Sequence, residues 1–264
     1  MKLHFKKTGN GKPLIILHGL FGMSDNWMTL NKQFAEHNFC CYVVDLRNHG
    51  RSPHEDEFNY KVMSDDLEEL MSDEKLSLAN FIGHSMGGKA AMFFATANPA
   101  KVDKLIVADI SPKFYTHRND RELAALNSVD LENTGSRKEA EAQLRTSLND
   151  EATVQFLLKN LYWKEKNTDN APSEKKLAWR FNLSSLEKNM DEIGKALPDT
   201  AIFNKPVLFL KGERSGYISD DDTELIKKHF PLAVIKTIPS AGHWVHAENP
   251  AGFMNAALEF LDTE

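Results

Sequence analysis

The chain has 264 residues, 41% hydrophobic and 27% charged, with 14 Gly, 10 Pro and 2 Cys, a composition that excludes collagen-like, disordered and disulfide-scaffold classes. A chain of this length buries roughly 70–75% of its unfolded surface, so its core needs no metal or disulfide staple. The 32 Lys+Arg against 38 Asp+Glu leave a net charge of −6, the wrong sign for a nucleic-acid partner. No apolar run reaches the ~20 residues of a membrane span.

The opening stretch Met1–Pro13 is basic without an apolar stretch behind it, so no secretory signal is expected. Pro13–Leu17 reads as a buried strand and Cys41–Val44 as a second. In a strand the neighbours Cys40 and Cys41 point to opposite faces, which disfavours a bridge between them. With no CxxC or Cys/His cluster, no metal site is expected, and a cytoplasmic protein with reduced thiols fits best. Met63, Leu67, Leu70 and Met71 recur at helical spacing, Leu78–Ile82 is a third strand, and Ala90, Ala91, Phe94 and Ala95 make a helix after Gly87-Gly88. Lys104–Ala108 is a fourth strand, Val207–Leu210 a fifth and Val234–Ile238 a sixth. A last helix carrying Phe253, Ala256, Ala257 and Phe260 follows Pro250. This alternation predicts an α/β fold with a mostly parallel sheet flanked by helices. It stops between about Ser111 and Lys205, where charge is dense and Leu123, Leu126, Leu144, Leu148, Phe156, Leu157 and Leu161 give amphipathic helical faces without a convincing strand. We therefore expect residues 1–111 and 204–264 to form one α/β core, and residues 112–203 to form a helical cap inserted into it.

The sharpest local signal is Gly83-His84-Ser85-Met86-Gly87, a G-x-S-x-G pattern between a predicted strand and a predicted helix. A serine on so sharp a turn is pushed outward in strained backbone geometry, and the flanking glycines leave room for neighbouring chain. Serine is a weak nucleophile without a base. Of ten histidines, His4, His37, His54, His117 and His229 sit in polar stretches and are expected to be solvated. His84 is expected to pack or bond to nearby backbone, His18 to brace its turn, and His246 to be structural. His243 follows the last strand, and loops after parallel strands gather on one edge, so it can reach Ser85.

The third member must be an acid that fixes the imidazole tautomer. The usual loop, after Val207–Leu210, carries Ser215 where an aspartate is expected. Asp109 ends the preceding core strand and is costly to bury without a partner, so it is the expected acid, with Asp220 and Glu213 as fallbacks. Ser215 is then a candidate donor to the His243–Asp109 pair. Two N–H donors are needed for a developing oxyanion. Met86, next after the nucleophile, supplies one, and the turn His18-Gly19-Leu20-Phe21-Gly22 supplies the other, from Leu20 or, as second choice, Phe21.

These residues resemble the α/β-hydrolase fold superfamily from the first core strand to the last helix, through Leu17–Gly22, Asp45–Pro53, Gly83–Ala90 and Gly242–His246. More narrowly, the Arg-Asn-His-Gly turn, the Gly-Gly-Lys after the elbow, the Asp109-Ile110-Ser111-Pro112 strand end and Trp179–Leu183 are similar to the bacterial YbfF-type esterases and the related abhydrolase-11 group. The resemblance implies an acid after the earlier strand, which supports Asp109. It also implies a serine hydrolase that cleaves carboxylic esters or acyl thioesters through an acyl-enzyme, with no cofactor. Its substrate is a small-molecule ester or thioester, and the chain is a monomer or a small homo-oligomer. Arg180, in the cap, would meet an anionic substrate group or pair within the cap. Two rival readings stay open: carbon–carbon hydrolase, lyase or haloperoxidase-like chemistry on the same scaffold, and a non-catalytic ligand-binding homologue. The intact set of nucleophile, histidine, acid and donor turn weighs against the second.

Overall fold

The run Leu14-Ile15-Ile16-Leu17 offers apolar groups to both faces of a pleated strand, which suits a sheet covered on both sides. The computed structural model describes residues 1–116, 119–166 and 174–262. Its strands are β1 (Phe5–Thr8), β2 (Lys12–Leu17), β3 (Phe39–Val44), β4 (Ala79–His84), β5 (Val102–Ala108), β6 (Leu161–Lys166), β7 (Glu174–Trp179), β8 (Val207–Gly212) and β9 (Ala233–Ile238). Seven of them form one sheet in the order β1-β3-β2-β4-β5-β8-β9, while β6 and β7 pair only with each other. Every pair in the large sheet is parallel except β1 with β3. The helices are α1 (Met28–Glu36), α2 (Tyr60–Asp73), α3 (Met86–Ala97), α4 (Asp120–Ser128), α5 (Arg137–Leu144), α6 (Glu151–Leu158), α7 (Leu183–Lys188), α8 (Met190–Gly194), α9 (Asp222–His229), α10 (Val245–Glu248) and α11 (Pro250–Leu261).

The period-two alternation of strands sorts the core into two layers. Leu14, Ile16, Val43, Ile82, Ile106 and Leu208 pack with α1 and α11, through Phe34, Phe253 and Ala257. Ile15, Leu17, Val44, Phe81, Val107 and Phe209 pack on the other side with α2, α3 and α9, through Leu67, Phe94 and Ile226. The two free cysteines follow the same rule, Cys40 in one layer and Cys41 in the other. Burial pushes the Cys41 thiol up to about 12, so it stays a thiol at neutral pH.

The six expected strands and the three expected helices are all present. β1 was not foreseen, because Phe5-Lys6-Lys7-Thr8 is a half-exposed edge with no apolar run. The stretch between β5 and β8 departs from the expectation of helices alone. It holds α4 to α8 but also the antiparallel β6–β7 hairpin, paired from Leu161↔Trp179 to Lys166↔Glu174. Such a ribbon has one side to bury: Leu177 and Trp179 are buried while Trp163 lies half exposed, so the alternation in sequence is weak. A second departure is His229. It is only 1% exposed and its ring Nδ1–H donates to the Ala201 carbonyl at 2.7 Å, whereas His37 and His54 are exposed as expected and His4 is half-buried. His117 lies outside the described residues.

Register brings the strand ends together. Leu17 is opposite Gly83, His84 opposite Ala108, and Ala108 opposite Leu210. The residues that follow β2, β4, β5 and β8 therefore leave the sheet side by side.

Candidate active site

Ser85 is the single residue between β4 and α3, with φ 51° and ψ −119°, a left-handed conformation that a non-glycine residue adopts at a cost. Its own N–H donates to the Ala108 carbonyl at 3.0 Å, which ties the turn to β5. The neighbouring glycines are steric necessities. A Cβ on Gly83 would lie 2.3 Å from the Gly87 carbonyl oxygen, and one on Gly87 would lie 2.4 Å from that of His18. The strand and the helix can meet at this angle only with hydrogen at both positions.

Asp109, the residue after β5, also has positive φ (53°) and is fully buried. A carboxylate so placed must be satisfied by donors, and three reach it. The Gly212 N–H donates to Oδ1 at 2.9 Å, the ring Nδ1–H of His243 donates to Oδ2 at 2.8 Å, and the Ser215 hydroxyl donates to Oδ2 as well. With Nδ1 carrying the proton, His243 Nε2 is the acceptor, and it lies 3.0 Å from Ser85 Oγ. The His243 ring stacks on Tyr217, with centroids 3.8 Å apart and planes 15° from parallel. His84 donates from Nε2 to the His243 carbonyl at 2.9 Å and so holds that loop. The fallback acids stand elsewhere. Asp220 is exposed, and its hydrogen bond to Lys211 at 2.8 Å holds its carboxyl below the usual range. Glu213 accepts from the Ser240 N–H at 2.7 Å.

The turn after β2 is braced from below. His18 donates from Nδ1 to the Gly19 carbonyl (2.8 Å) and accepts at Nε2 from the Leu46 N–H (3.0 Å). His49, in the Arg-Asn-His-Gly turn, donates to the Arg47 carbonyl and accepts from the Phe21 N–H at 3.3 Å. Phe21, with φ 58°, thus has its N–H engaged. Among the described residues, no hydrogen bond within the protein engages the N–H of Leu20 or of Met86, and both residues line a cavity together with Ser85. Burial pushes His18, His49 and His84 below the ordinary imidazole value, so these supporting rings stay neutral.

A cavity of about 510 Å³ opens beside Ser85 and His243, walled by Phe156, Leu157, Trp244 and Trp27. His246 borders it and is buried, stacked on Trp27 at 4.2 Å and 7°. Arg180 is not part of this lining; its guanidinium lies over the Tyr162 ring at 4.5 Å. Of the expected residues, Ser85, His243, Asp109 and Ser215 are brought together and Arg180 is not. Tyr217 went unforeseen, since a tyrosine two residues past Ser215 carries no signal of stacking. Among the described residues no group of three His, Cys, Asp or Glu side chains is placed to hold a metal, and no helix is long and apolar enough to cross a membrane.

The chain is similar to known proteins over nearly its whole length. A family model for the alpha/beta hydrolase fold matches residues 12–250. The chain is 36% identical to the sn-1-specific diacylglycerol lipase ABHD11 of Danio rerio, over 97% of this chain and 80% of that protein. It is 35% identical to the esterase YbfF of Escherichia coli K12, over 96% of this chain and 94% of that protein. A solved structure described as a marine microorganism esterase superposes with a TM-score of 0.91 at 43% identity, covering 98% of this chain and 99% of the other. The chain belongs to the alpha/beta hydrolase fold family and is of its esterase/lipase type.

Proposed function

We propose that the protein is a serine hydrolase that cleaves carboxylic esters, and acyl thioesters by the same chemistry, through a Ser85–His243–Asp109 triad. The observation that carries this reading is the continuous relay of 3.0 Å from Ser85 Oγ to His243 Nε2 and 2.8 Å from Nδ1 to Asp109. His243 Nε2 takes the Ser85 proton as Oγ attacks the acyl carbonyl, and Asp109 holds the tautomer and stabilises the imidazolium that forms. The Leu20 and Met86 N–H groups receive the oxyanion, each worth ~3 kcal/mol of barrier. The imidazolium then protonates the departing alcohol or thiol, leaving an acyl-enzyme. Water, deprotonated by His243, attacks that ester, and the proton returns to Ser85 as the acid leaves. Ser215 supports Asp109 from the loop after β8. No cofactor is needed for any of these steps. Residues 112–203 act as a cap: α6 supplies Phe156 and Leu157 to the cavity wall and so shields the reacting ester from water. Two buried free thiols suit a reduced, cytoplasmic setting.

The test is hydrolysis of a p-nitrophenyl ester, with fluorophosphonate labelling alongside. Ser85→Ala should abolish labelling and lower kcat about 10⁶-fold, Asp109→Asn should lower it about 10⁴-fold, and Asp220→Asn should keep wild-type turnover. Failure of Asp220→Asn with survival of Asp109→Asn would move the acid to the loop after β8 and overturn the triad as assigned.

A further inference from the structure

Ser85 stands between two cavities of very different size. Ser85 and Leu20 line both; the large one, about 510 Å³, adds His243, and the small one, about 50 Å³, adds Met86 and lacks His243. This asymmetry carries orientation, granted the hydrolase reading above. The leaving oxygen or sulfur must come within hydrogen-bond reach of His243 Nε2 to be protonated, so the leaving group extends into the cavity that His243 lines. The acyl chain departs from the carbonyl carbon in another direction, and the cavity left for it is the small one. A cavity of about 150 Å³ admits benzene. On that scale, 50 Å³ holds roughly two or three heavy atoms beyond the carbonyl.

Several walls of the small cavity are pinned by hydrogen bonds. Tyr60 donates its hydroxyl to the Ile193 carbonyl at 2.6 Å, and Tyr115 donates to the Tyr217 carbonyl at 2.5 Å. Lys89, buried on α3, reaches three carbonyls, those of Lys113, Gly194 and Lys195, and so binds the α8 end to the core. Those three acceptors take up every N–H the Lys89 side chain offers, and burial lowers its pKa to about 7, so it presents neither a free donor nor a full charge to a carboxylate on the acyl chain. Gly194, also in the lining, packs tightly on the chain at Tyr115, since a Cβ there would lie 2.2 Å from the Tyr115 carbonyl oxygen. A pocket pinned from several elements discriminates by size, because it does not yield to a longer chain.

We infer that the enzyme selects esters or thioesters of short, uncharged acyl groups, acetyl to butanoyl, carried by a bulky, largely apolar alcohol or thiol. Ile193 and Met190, in the wall of the small cavity, set the acyl length. Phe156 and Trp244 receive the leaving group.

The experiment is a p-nitrophenyl series from acetate to dodecanoate, with fluorophosphonate labelling of Ser85 in the same preparation. Wild-type kcat/KM should be highest at two to four carbons and lower by about tenfold or more at eight. Ile193→Ala or Met190→Ala should raise the ratio of octanoate to acetate by about tenfold. Phe156→Ala should leave that ratio within about twofold while lowering kcat/KM for 2-naphthyl acetate. If the alanine variants do not fold, the wild-type series alone decides. Labelling of Ser85 together with octanoate or dodecanoate turnover equal to that of acetate overturns the acyl assignment and leaves the hydrolase reading standing. A shift of the acyl-length ratio in Phe156→Ala overturns it too, by putting the chain in the large cavity. Absence of both labelling and turnover removes the hydrolase reading, and the inference with it.

Discussion

His246 couples stability to pH more strongly than a surface histidine does, and the size of the effect follows from where it sits. Its ring is buried against Trp27 at 4.2 Å, edge-on to Phe253, and its Nδ1 has no hydrogen-bond partner. Burial, followed by the nearby charge of His243, pushes it from 6.5 down to about 3. The native state therefore holds His246 neutral where the unfolded chain binds a proton. Stability contributed this way is fully present above about pH 6.5 and falls as the pH drops towards 3. Between pH 8 and pH 5 the linkage amounts to about 2 kcal/mol for this residue alone. His246→Phe keeps a flat ring for the Trp27 stack and removes both the titration and an unsatisfied polar atom. At pH 8 the variant should be at least as stable as the wild type, since a buried unpaired group costs ~1–3 kcal/mol. Urea unfolding at pH 8 and pH 5, followed by tryptophan fluorescence, measures both proteins. Acidification should destabilise the wild type by about 2 kcal/mol more than it destabilises the variant. His18, His49 and His84 remain in both proteins and largely cancel in the comparison. Equal losses in the two proteins would refute a neutral, buried His246.

Two further substitutions probe the frame of the site. Ser215→Ala removes one of three donors to the buried Asp109 carboxylate, and hydrogen bonds to charged groups contribute ~1.5–3 kcal/mol, so kcat should fall by about 10- to 100-fold. Unchanged turnover in steady-state assays would dismiss Ser215 from the relay. Gly83→Ala would set a Cβ 2.3 Å from the Gly87 carbonyl oxygen and 2.7 Å from Gly88 Cα, backbone that cannot step aside. The cost should sit at the upper end of the ~1–3 kcal/mol of overpacking, lowering Tm by roughly 6–12 °C in a thermal melt. A melt unchanged from wild type would refute the close packing of strand and helix at the elbow.

The fold was readable wherever a strand is covered on both faces. Leu14–Leu17 and Leu105–Ala108 are apolar because each layer of helices claims alternate residues, and that leaves a run no loop would carry. β1 and the β6–β7 hairpin were not readable, since each has an exposed edge or face and so borrows its conformation from pairing rather than from pattern. In the site, Ser85 and His243 could be found because the elbow motif and the loop after the last strand obey general constraints of backbone and topology. Arg180 shows the reverse. Its charge suggested either a substrate anion or a partner within the cap, and it is a partner within the cap that it meets, the half-buried ring of Tyr162 on the facing strand of the hairpin. Tyr217 and His49 act through stacking and through a backbone N–H, contacts that depend on where loops meet rather than on spacing along the chain.

The buried carboxylate of Asp109, just after β5, goes with a particular arrangement of the loop that follows β8. With the carboxylate at Asp109, that loop becomes a source of donors: the Gly212 N–H and the Ser215 hydroxyl both point charge-compensating hydrogens at it. To do so the loop must lie directly against the segment that carries His243. Gly212 permits this, because a Cβ there would sit 2.1 Å from the Gly242 carbonyl oxygen and 2.7 Å from that of Ala241. The same approach lets Arg214 N–H bond to the Ala241 carbonyl at 2.9 Å and seats Tyr217 on the imidazole. The histidine is thereby held on three sides, by Asp109 at Nδ1, by the Tyr217 ring on its face and by His84 through its carbonyl. Its remaining edge, Nε2, faces Ser85, and a ring fixed this way loses little entropy when the proton moves.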